Sequence, residues 1–176
     1  MSITITILLV LAAIITLLLI MALFMRNEHF VKREIVINTP RQKVFDFVKM
    51  IGNQEKFNKH AMVAPDRKKE FKGTDGTVGY IYAWSGDKNA GVGEKEIKDI
   101  VEGKNVEMEI RFIKPMVASA TIILDTESLP NDQTKLTWSN AGTLKYPLNL
   151  FIPMMEKNVA KDMDSSLSTL KNILEK

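Results

Sequence analysis

No charged residue occurs between Ile3 and Met25 of this 176-residue chain. The run ITITILLVLAAIITLLLIMALFM is long enough to cross a bilayer, because about 20 apolar residues in a helix span a hydrocarbon core of roughly 30 Å. A helix that is apolar all round has no face for water. Every Lys, Arg, Asp and Glu lies at or after Arg26. The expected organisation is a transmembrane anchor over 1–25, a juxtamembrane linker over 26–30 and one polar domain over 31–176.

A cleaved secretory signal fits the segment poorly. It would need a positive n-region, an apolar core of about 7–15 residues and a small-x-small cleavage site. Only Met1 and Ser2 precede the run, and Met21 to Arg26 offers mostly bulky residues where a peptidase wants small ones. Flanking charge sets the expected orientation. Arg26, Lys32, Arg33, Arg41 and Lys43 all follow the span, and basic residues favour the cytoplasmic side. A single-pass protein with its N-terminus outside and its domain in the cytoplasm is expected. The absence of cysteine excludes a disulfide framework, a thiol nucleophile and thiolate metal ligands.

The net charge of +3 belongs wholly to the domain and is too mild to indicate nucleic acid, which calls for a clustered basic face. The densest basic stretch, Arg67-Lys68-Lys69 with Lys56, Lys59 and His60 upstream, reads as a solvated surface. The sharper alternative is a patch for anionic lipid headgroups.

Along the domain, Val31 to Asn38 reads as a strand. Thr39 and Pro40 then look like the N-cap and first residue of a helix. Val44, Phe45, Phe47, Val48 and Ile51 form its apolar face, and a second helical piece covers Gln54 to His60. Short strands follow: Arg67 to Phe71, Val78 to Trp84, Gly93 to Val101, Val106 to Phe112, Ala118 to Thr126 and Thr134 to Thr143. The link Ser85 to Gly91 reads as a hairpin loop. Ile152, Met155, Val159, Met163, Leu167, Leu170 and Leu174 mark a closing amphipathic helix from about 150 to 174. A run of antiparallel strands with helices at its ends indicates an α+β fold.

The order of these elements, and several short words within them, resemble the SRPBCC superfamily of START-like, polyketide cyclase-like and birch-pollen-allergen-like domains. The carrying residues are Ile35 to Pro40 followed by Val44-Phe45, Gly91-Val92-Gly93 through Ile97, Ile110 to Pro115, Thr134 to Trp138 and the helix end Leu167 to Lys171. The resemblance covers about Val31 to Lys176. It implies a helix-grip fold, in which a curved antiparallel sheet wraps a long C-terminal helix around an apolar cavity. Members hold lipids or other hydrophobic molecules there. Some catalyse cyclisation or hydrolysis, and others assist chaperones.

The residues themselves show no catalyst. His29 and His60 read as lone surface histidines, and neither metal-ligand spacing nor a nucleophile elbow is present. In Glu94-Lys95-Glu96-Ile97-Lys98-Asp99, faces alternate, so some charge must turn inward. An acid inside the cavity could act in proton transfer. The bland alternative, for this segment and for Asp125, is cross-strand pairing. Tyr80, Tyr82, Trp84, Met108, Phe112, Trp138, Met155, Val159 and Met163 are the expected cavity lining, with plain core packing as the other reading of each. The favoured function is a non-enzymatic, membrane-anchored binding protein for a lipid or other hydrophobic molecule, with no cofactor and no nucleic acid. A cyclase or hydrolase-type enzyme and a protein-interaction or stress-response module without an open cavity are the alternatives.

Overall fold

The computed structural model describes residues 2–62, 66–86 and 91–176. The apolar run forms helix α1 (Ile3–Phe24), whose 22 residues have a mean hydropathy of 3.2 over the most apolar window. At 1.5 Å per residue it is about 33 Å long, enough to cross a membrane. Only Ala22 on it is buried.

The domain is one seven-stranded antiparallel sheet. Its strands are β1 (Glu28–Ile37), β2 (Lys68–Lys72), β3 (Ile81–Ser85), β4 (Val92–Val101), β5 (Asn105–Lys114), β6 (Ala118–Leu129) and β7 (Gln133–Thr143). They are ordered β1-β7-β6-β5-β4-β3-β2. Between β1 and β2 lie α2 (Arg41–Val48), a 3-10 turn over Ile51–Lys56 and the short α3 (Lys59–Met62). A second 3-10 turn, Leu148–Phe151, leads into the closing helix α4 (Ile152–Leu174). Register shifts in β4 at Val92/Gly93 and Ile97/Asp99 bend the strand, as bulges do.

Alternation along the strands determines what the sheet buries. Ile97, Val106, Met108, Leu124 and Leu136 are nearly inaccessible and pack with Val44 and Val48 of α2 and Leu167 and Leu170 of α4. Each such side chain contributes roughly 1.5–3 kcal/mol of transfer free energy. The opposite face is charged. There Arg111 of β5 bonds Glu94 at 2.7 Å and Glu96 at 2.8 Å, and also Glu109, which is the cross-strand pairing expected of this segment.

Two ends of the sheet have different characters. β1, β4 and β6 start, and β3, β5 and β7 finish, at the end where α1 arrives, because Glu28 pairs with Thr143, Val92 with Lys114 and Phe112 with Ala118. The start of α4 sits there too. Phe30 N–H donates to Glu156 (3.1 Å), and Arg26 pairs with the same carboxylate (2.5 Å). Asn149 closes the junction by donating to the carbonyls of Ala22 (2.7 Å) and Met25 (3.1 Å), at a helix C-terminus whose last carbonyls lack partners in a following turn.

Several local expectations change. β1 begins at Glu28, so most of the expected linker is strand. Thr39 does not cap α2, whose N-cap is Pro40; its buried hydroxyl donates to Leu174 O at 2.9 Å and ties α4 to the sheet. Val78 is exposed, and Tyr80 precedes β3 rather than lying in it. The expected hairpin loop from Ser85 to Gly91 falls partly outside the described residues.

Candidate ligand-binding cavity

Between the sheet and α4 lies a cavity of about 350 Å³, within the ~300–1,000 Å³ typical of ligand pockets. Its position follows from two periodicities. Met155, Val159 and Met163 project from one face of α4 at four-residue spacing, while Tyr82, Trp84, Ile110, Phe112, Ile122 and Trp138 project from alternate strand positions opposite. Edge contacts between Trp84 and Phe112 (centroids 6.0 Å apart) and between Trp138 and Phe57 (6.3 Å) hold the two indoles in place.

Of the nine expected lining residues, the structure brings Tyr82, Trp84, Phe112, Trp138, Met155, Val159 and Met163 around this space. Tyr80 and Met108 do not line it. Met108 is fully buried beneath Gln54, whose amide donates to its sulfur at 3.3 Å.

One pole of the cavity is polar, and apart from Tyr82 its residues lie outside the expected lining. Lys95 on β4 points inward and is 7% exposed. Its Nζ donates to Gln54 Oε1 at 2.5 Å. Loss of water around the amine, with Arg67 nearby, lowers its pKa from 10.5 to about 8. Arg67 leaves the expected surface patch: its guanidinium, with an 8% exposed side chain, donates to Tyr82 Oη (2.8 and 3.1 Å) and stacks over the Tyr82 and Trp84 rings. The Tyr82 hydroxyl in turn donates to Glu55 (2.6 Å). Burial and that bond push the phenol up to about 12, with Arg67 opposing. Burial raises the Glu55 pKa, but bonds from Lys69 and Tyr82 and the charge of Arg67 outweigh it, so the net shift is downward.

The inward charge of the β4 segment is therefore a cation. The signal was present in the sequence: Lys95 has the same parity as Ile97, and residues two apart share a face. His29 is also a correction. It is buried on β1, its Nε2 lies 3.0 Å from Asn140 Oδ1, and it lines the cavity. No local signal marked it, because its burial depends on where β1 starts. His60 is exposed at the rim, 3.2 Å from Asp162, which also binds Lys59 at 2.7 Å.

A curved antiparallel sheet closed by one long C-terminal helix around such a space is a helix-grip fold, of α+β class. Solved structures share it. A Mesorhizobium loti protein, MLL2253, superposes with a TM-score of 0.63 at 15% identity, covering 84% of this chain and 97% of its own. Ara h 8.0201, a Bet v 1-like protein, superposes at 0.59 and 12% identity, with 84% and 97% covered. The Aha1 protein of Colwellia psychrerythraea gives 0.55 at 14% identity, with 83% and 96% covered. Identities this low establish the fold alone. No family model matches the sequence, and no curated protein matches it.

Proposed function

We propose that this chain is a membrane-anchored binding protein that holds a lipid or other hydrophobic molecule between the sheet and α4. The observation that carries the reading is the placement of the cavity. Its lining includes the exposed Lys114, Pro115, Ser119 and Thr143 at the end of the sheet where α1 arrives. Exposed apolar side chains cluster at that same end: Ile113 at the end of β5, Met116 and Val117 on the β5–β6 turn, Tyr146, and Phe151 and Met154 at the start of α4. An anchored domain with its opening and apolar rim beside the anchor can take an apolar molecule from the bilayer without carrying it through water. The orientation with the domain in the cytoplasm belongs to the same proposal.

The test is native mass spectrometry of the full chain released from detergent micelles, followed by organic extraction. A discrete apolar molecule is expected on the wild type and not on Val159→Trp, which places an indole in the cavity. A wild-type protein that carries nothing, and takes up no added apolar ligand, would sink the proposal.

A second reading, an enzyme of the cyclase or hydrolase type, draws on the Glu55–Tyr82 pair in the cavity wall. Their shifts move apart: the carboxylate stays ionised and the phenol stays protonated. Neither is tuned toward neutral pH, where general acid–base catalysis works best.

A further inference from the structure

Among the described residues, Lys95 is a buried cation without a buried anion. Among the described residues its one hydrogen-bond acceptor is the neutral Gln54 amide, which uses one of its three N–H donors. The carboxylates around this pole have other partners. Glu55 is bonded by Lys69 (2.8 Å) and Tyr82 and faces Arg67 at 3.6 Å, and Asp162 is shared by Lys59 and His60. Arg67 acts on Lys95 as a like charge and repels it. The pole thus presents two buried cations to a cavity whose remaining wall, Ile110, Ile122, Trp138, Met155, Val159 and Met163, is mostly apolar. Desolvated charge of this kind is costly until a counter-ion is supplied.

We propose that the cavity selects an apolar molecule with an anionic oxygen head group, a carboxylate or a phosphate monoester, and that Lys95 receives the head while the tail lies along the Trp138–Met155–Val159 wall. This rests on the binding function proposed above and names its ligand class. An alcohol or ester of the same tail would fill the apolar wall equally but leave Lys95 unpaired. The discrimination therefore comes from a charge-assisted bond in a dry site, where such bonds are strongest.

The test uses the full chain in phosphatidylcholine nanodiscs and three probes with one tail: ω-bromoundecanoic acid, ω-bromoundecyl phosphate and ω-bromoundecanol. Trp84 and Trp138, the two tryptophans of the chain, both line the cavity. Bromine quenches indole at near contact, so a probe resting in the bilayer is largely silent. Near pH 7 at least one anionic probe should half-saturate the quenching at a concentration about tenfold or more below the alcohol. In Lys95→Met, a variant of similar length without the charge, that preference should vanish. The preference of acid over phosphate, or the reverse, identifies the head group, and either supports the proposal. Equal binding of acid, phosphate and alcohol by the wild type would overturn it. So would an anionic preference that persists in both Lys95→Met and Lys95→Gln. If no probe quenches, the binding function itself fails and the ligand class fails with it.

Discussion

Lys95 and Gly93 sit two residues apart on β4, on the same face, and they make opposite demands. Lys95 keeps a charge where water is scarce. Its folded pKa of about 8 lies below the unfolded value of 10.5, so the unfolded state binds more protons between these values and stability must rise with pH across that window. The cost below pH 8 is on the order of 3 kcal/mol. Lys95→Met should therefore be more stable than wild type at pH 7, and the gap should narrow from about pH 8 to 10.5. Thermal unfolding followed by tryptophan emission in detergent micelles checks this; a gap that does not change with pH would contradict it. Gly93 needs the opposite of bulk. A methyl there would lie 2.5 Å from the Trp84 ring and 2.7 Å from the Arg111 carbonyl. The ring can turn aside, but the carbonyl is fixed by the β4–β5 ladder. Gly93→Ala should cost about 1–3 kcal/mol and shift the Trp84 emission.

Helix α4 divides along its length, and the division predicts how it tolerates truncation. Its second half is packed: Leu167 is 1% exposed and Leu170 is inaccessible. Its first half lines the cavity through Met155 and Val159. Leu167→Ala removes atoms from a filled space and should cost about 2–5 kcal/mol. Val159→Ala removes atoms that already border a void and should cost well under half as much, measured as the shift in thermal midpoint of each variant. Equal losses would mean that the first half is packed as tightly as the second. The strands show the same logic in reverse, because their outer faces are tied by charge. The Arg111 cluster with Glu94, Glu96 and Glu109 is partly exposed, where ion pairs contribute little.

For the whole molecule, the proposed arrangement is a bilayer helix whose C-terminal carbonyls are held by Asn149 of the domain, with the cavity opening beside it. The chain has no cysteine, so topology can be read with single introduced thiols. On intact cells, a membrane-impermeant maleimide should label Ser2→Cys, and should reach Ser128→Cys, exposed on β6, only after lysis. The opposite pattern would reverse the orientation. An N-terminus missing from the mature protein would show that α1 is a cleaved signal. Much of this was legible in the chain itself. The charge-free run to Met25 marks α1, period-two alternation marks β5, and three- and four-residue spacing marks α4. These patterns are local, so neighbouring residues carry them. The seven aromatic, methionine and valine positions that line the cavity follow from the same periodicities combined with the expected fold. The polar pole did not follow. Gln54, Glu55 and Arg67 come from a 3-10 turn and the residue before β2. Their meeting with Lys95 is set by how the sheet curls over α4. Hydrophobic pattern alone determined which faces turn inward; only the tertiary structure decided which charges were carried in with them, because the distance between two buried polar groups depends on packing across the whole sheet and on no single segment.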